Sequence, residues 1–162
     1  MLRSGRMNSG NVSRGWQSLC TATQIEELMG LFGHFHDACV REIHVVTGHY
    51  VDQDLSMHVD WRTTVHMLIQ RQFVEPSAIE LRFEEVVGLR VCPPPPDCVS
   101  IIFGAAFFLR DGVCYWADSA DWTPESTDRG ESDWVAARKV YWRDASEWLG
   151  PHLRYREHRS LN

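Results

Sequence analysis

The stretch Ile79-Glu80-Leu81-Arg82-Phe83-Glu84 alternates apolar and polar residues without a break. Successive side chains of a strand point to opposite faces, so a period of two marks a strand with one face in a core and the other toward water. Leu55-Ser56-Met57-His58-Val59-Asp60 repeats the pattern. Reading outward from these segments, strands are expected at residues 37–46, 55–61, 64–73, 78–91, 99–109, 113–118 and 135–143. Turn residues separate them. Asp111-Gly112 is the sharpest hairpin signal, because both residues tolerate the positive φ of a tight primed turn. Gly88 marks a bulge or bend inside a long strand. Pro93 to Pro96 cannot donate ladder hydrogen bonds, which makes that run a loop or crossing segment.

Before the strands the period is helical. Ile25, Leu28, Leu31 and Phe32 share one face, Thr23 is the expected N-cap with Glu26 completing a capping box, and Gly33 is the expected stop. One helix followed by a run of strands gives an α+β fold. The helix packs on a curved, mainly antiparallel sheet of about six to seven strands. Residues 1–17 lack apolar periodicity and read as a flexible extension, residues 18–155 as a single domain, and residues 156–162 as a frayed tail.

Composition narrows the function classes. The chain has 162 residues, 44% hydrophobic, enough for one real core without metal or disulfide staples. A net charge of −6 and a single lysine, Lys139, argue against nucleic acid, which needs clustered bases to neutralise phosphates. The longest apolar run, near Ile101 to Leu109, is too short to cross a bilayer, and the N-terminus has no apolar signal region. Five cysteines without a Cys-x-x-Cys pair, Cys39 among them, read as small buried hydrophobes, free thiols in a reducing compartment. Cytoplasm is the expected location, and no cofactor is expected.

Two groups of residues carry possible chemistry. His34-Phe35-His36-Asp37 would place His34 and His36 on one side of a strand, a start toward a metal site or a small-molecule enzyme, but no further ligand group accompanies them. The segment from Asp118 to Trp134 sets Asp118, Asp121, Glu125, Asp128, Glu131 and Asp133 against one base, Arg129, and interleaves them with Trp116, Trp122 and Trp134. Tryptophans among acids suit a basic protein partner, with the rings as anchors and the acids steering approach. Trp116, Asp118, Asp121, Trp122, Glu125, Asp128, Glu131 and Trp134 are therefore the expected partner-binding residues. Glu80, Glu84 and Glu85 read as a solvated strand face.

Phe35-His36-Asp37-Ala38-Cys39-Val40-Arg41-Glu42-Ile43, followed by alternating strands and Ile79-Glu80-Leu81-Arg82-Phe83-Glu84-Glu85-Val86, resembles a class of small bacterial proteins. In that class Phe/Trp-His-Asp opens the first strand, and a later strand reads apolar-x-Leu-x-Phe-x-x-Val. Its members are uncharacterised or are grouped as immunity proteins of polymorphic toxin systems. The resemblance spans positions 35–90 and implies a non-enzymatic α+β binding protein that occludes a toxin. The expectation is a cytoplasmic binding module. Its alternatives are an enzyme using His34, His36 and Asp37, and a structural homo-oligomer, a homodimer in the simplest case, whose edge strand pairs across a two-fold axis.

Overall fold

The computed structural model describes residues 15–126 and 132–155. The described residues form one α-helix, α1 (Ala22–Leu31), and nine strands. These are β1 (Gln17–Ser18), β2 (Ala38–Thr47), β3 (Tyr50–Val51), β4 (Met57–His58), β5 (Thr63–Arg71), β6 (Ala78–Arg90), β7 (Ala106–Arg110), β8 (Val113–Ala117) and β9 (Trp134–Asp144). Seven strands make one antiparallel sheet in the order β2-β5-β6-β9-β8-β7, with β1 beside the far end of β9. β3 and β4 form a separate ribbon. The fold is α+β, with one helix on a mainly antiparallel sheet.

The alternation in the sequence becomes the two faces of this sheet. Ile79, Leu81 and Phe83 are buried in one core with Val65, Met67 and Ile69 of β5. The same core takes in Phe107, Trp116, Val135 and Ala137 from the other half of the sheet, and Ile25 and Leu28 from α1. One sheet closes around one core because its long central strands bend. The bend in β6 is a register shift between Val86 and Gly88 against β9. A Cβ on Gly88 would lie 2.6 Å from the Trp134 ring, so only glycine fits there. The segment leading into β7 touches the first residue of β2: Ile102 donates its N–H to the Ala38 carbonyl at 2.8 Å.

Several local expectations shift. The helix is capped by Thr21, not Thr23. Thr21 Oγ1 accepts from Gln24 N at 3.2 Å, and the Gln24 side chain accepts from the Cys20 and Thr21 N–H groups. Gln24 reaches both donors, so it wins the capping position over Glu26. Gly33 does end the helix, with φ +55, and the Arg71 guanidinium donates to the Leu31 carbonyl there. The expected strand at 55–61 shrinks to Met57–His58, and that at 99–109 to Ala106–Arg110. Met57–His58 pairs only within a two-stranded ribbon, and residues 99–105 make a single bridge, Ile102 to Ala38. Residues 15–17 are not free. Gln17 pairs with Trp142 in β1–β9, and the Trp16 ring lies under the Arg82 and Arg143 guanidiniums at 4.4 and 4.6 Å. The remainder of the expected extension and the 156–162 tail lie outside the described residues.

Candidate functional site: a groove along the β2 edge

β2 is an edge strand, and the segment after β6 runs beside it. Between them lies a groove of about 850 Å³. One wall is Val40, Arg41, Glu42 and Ile43 of β2, where a bulge between Val40 and Glu42 turns the strand. The other wall is Val91 to Pro95 and Cys98 to Ile102. Prolines form that wall for a physical reason: they need no ladder partner, so the segment can run outside the sheet and stay extended.

Asp118 and Asp133 close the end of the groove. β8 and β9 bring them together: Asp118 N donates to the Asp133 carbonyl at 3.0 Å, and Asp133 N donates to Asp118 Oδ1 at 3.1 Å. Asp133 Oδ1 accepts from Cys92 N at 2.7 Å, which ties the proline segment to this corner. Burial pushes the Asp118 carboxyl above its ordinary value, and the neighbouring Asp133 charge adds to the effect. Two adjacent, partly buried carboxylates leave this end of the groove electronegative.

The expected partner-binding residues divide. Asp118 lines the groove. Trp116 is fully buried in the main core, 6.0 Å from Phe35. Trp122 is buried against Ala106 and Ala117, 5.4 Å from the half-buried Trp134. These rings are not presented by a turn as anchors. Folding the segment back onto β7 and β8 removes their apolar surface from water. Asp121 is exposed. Glu125 pairs with Arg110 at 2.6 Å, a base from the β7–β8 hairpin that the local charge count omitted. Asp128 and Glu131 lie outside the described residues.

His34, His36 and Asp37 are not on a strand. They occupy a tight turn in which His34, Phe35 and Asp37 all have positive φ, and β2 starts only at Ala38. Burying Phe35 beside Phe32 drives this turn. His36 Nδ1 meets Asp37 at 3.1 Å on the exposed surface. Among the described residues, no three His, Cys, Asp or Glu side chains are placed to hold a metal ion.

The outer face of the sheet carries a polar cluster that the strand pattern concealed. Glu80 is 1% exposed. Its Oε1 accepts from His66 Nδ1 and the Tyr155 hydroxyl, both at 3.0 Å, and its Oε2 accepts from Arg143 Nε at 2.6 Å. Burial alone would raise the Glu80 carboxyl. The bonds from His66, Arg143 and Tyr155, with the Arg143 charge, outweigh it and hold Glu80 below its ordinary value. Burial, then the Glu80 charge, pushes the Tyr155 phenol up. Every Glu80 oxygen is occupied, so the cluster is a latch rather than a reactive centre. It holds the C-terminal segment, whose Arg154 and Tyr155 N–H groups also donate to Glu42.

No known family model, curated protein or solved structure matches the chain. No helix among the described residues is long and apolar enough to cross a membrane.

Proposed function

We propose that this chain is a non-enzymatic, cytoplasmic binding module that takes an extended, basic stretch of a protein partner into the β2 groove. The observation that carries this reading is the groove itself. It offers an edge strand for main-chain pairing, walls that are apolar apart from Arg41, Glu42 and Ser100, and two carboxylates at one end. Strand addition to an exposed edge gives affinity through main-chain hydrogen bonds, while wall pockets select alternate side chains. An Arg or Lys reaching Asp118 and Asp133 relieves their mutual repulsion. The resemblance over positions 35–90 to immunity proteins supports the same class of role, occlusion of a partner.

Selection from a displayed library of random peptides tests the reading. Enriched peptides should combine β-branched residues with an Arg or Lys, and Asp133→Asn should abolish the basic preference. Enrichment unchanged in Asp133→Asn, or none at all, would contradict it.

A further inference from the structure

A second surface lies at the other end of β2. β2 and β5 form a long hairpin whose outer end, residues 48–62, projects beyond the sheet as an arm built around the β3–β4 ribbon. Its neck is closed by Gly48 N donating to the Arg62 carbonyl at 2.8 Å. A Cβ on Gly48 would lie 2.7 Å from Asp60, so this close approach requires glycine. Two of the arm's three carboxylates are paired within it, and Asp54 is exposed. Asp52 pairs with His58 at 2.7 Å and Asp60 with Arg62. Among its exposed residues are six large hydrophobics, Tyr50, Val51, Leu55, Met57, Val59 and Trp61, with Leu55 86% and Trp61 67% exposed.

The arm continues directly from the run Ile43-His44-Val45-Val46-Thr47 of the edge strand. That run holds no Asp, Glu, Lys, Arg or Pro, and Val45 and Val46 are exposed. Edge strands are ordinarily protected by charge, proline or a bulge, and here the only bulge lies earlier, at Arg41. Val45 and Val46, 44% and 45% exposed, extend the arm's apolar surface onto the edge strand.

We infer that this surface pairs with a second copy of the same chain. The two Ile43–Thr47 edges join antiparallel about a two-fold axis, and the arms pack their apolar side chains across it. An uncharged edge is complementary to itself, so an isologous interface needs no charged counterpart. A second copy is also present wherever the chain is made, so the exposed edge is covered without waiting for another protein. The inference rests on the Ile43–Thr47 half of β2 and the arm, and the groove adjoins it at Ile43.

Size exclusion with light scattering on the full chain tests it. The expected mass is twice the 18.7 kDa of one chain. Val45→Lys on the edge and Trp61→Ser on the arm should each shift the population to monomer without lowering the melting temperature by more than a few degrees, since both side chains are exposed. A monomer for the unmodified chain at ~100 μM, a concentration that would reveal even weak pairing, would overturn the inference. So would a dimer that survives both substitutions.

Discussion

Glu80→Gln removes the charge at the centre of the latch while keeping its volume. The carboxylate is buried and accepts from three side chains, and Arg143 loses its only carboxylate partner among the described residues. Breaking a buried ion pair by neutralising one member costs ~3–5 kcal/mol. The Arg143 side chain is 29% exposed, so water recovers part of that, and about 2–3 kcal/mol is expected. For a chain of this size that is a fall of about 5–10 °C in melting temperature. The pH dependence gives a second reading. Glu80 titrates below its ordinary value of 4.5 in the folded chain, so its stabilisation is complete above that value and is lost as pH falls through the folded value. The gap between wild type and Glu80→Gln should therefore close on acidification below about pH 4.5. Denaturant melts at pH 7 and at pH 3 measure both effects. A difference under ~1 kcal/mol at pH 7, the worth of one ordinary hydrogen bond, would refute the latch, and so would a gap that persists undiminished at pH 3.

Trp122→Ala should destabilise the fold by about 3–5 kcal/mol, as for other buried aromatics, and a denaturant melt within ~1 kcal/mol of wild type would return this ring to the surface. Trp16→Ala should cost about 1–2 kcal/mol by removing the ring under Arg82 and Arg143, which a melt also measures. Cys20, Cys39 and Cys98 are exposed rather than buried as the sequence suggested, because they lie outside the packed faces of the sheet. Native thiol titration should label Cys20 and Cys98 rapidly and Cys39, whose thiol burial pushes up, more slowly. Cys114, whose thiol burial pushes up to about 12, should react only on unfolding.

The parts of the fold that were legible in the sequence are those set by local physics. Period-two alternation places Ile79, Leu81 and Phe83 in the core because the pleat leaves no other choice. Asp111 and Gly112 adopt φ of +51 and +73, as a two-residue primed turn demands, and Gly88 sits at the register shift. The parts that were not legible depend on what covers a surface. Alternation sends Glu80 outward, but only the fold brings Trp16 and the segment ending at Tyr155 over it. The tryptophans of the acidic segment look like exposed anchors until β7 and β8 give Trp122 a place to pack. The groove is formed by the two sides of a sheet edge, residues some fifty positions apart, and no local pattern announces it. Asp118 was singled out for its acidic surroundings, but its pairing with Asp133 and its position at the end of that groove come from the β8–β9 register.

Hydrogen–deuterium exchange on β2, with and without a peptide selected for binding, tests the central claim most directly. Strand addition pairs the free edge, so those amides of Val40 to Ile43 that point away from β5 should slow on binding, while those of the opposite edge strand β7 should not change. A peptide that binds and leaves the Val40–Ile43 amides exchanging as before would place its site elsewhere and contradict the account.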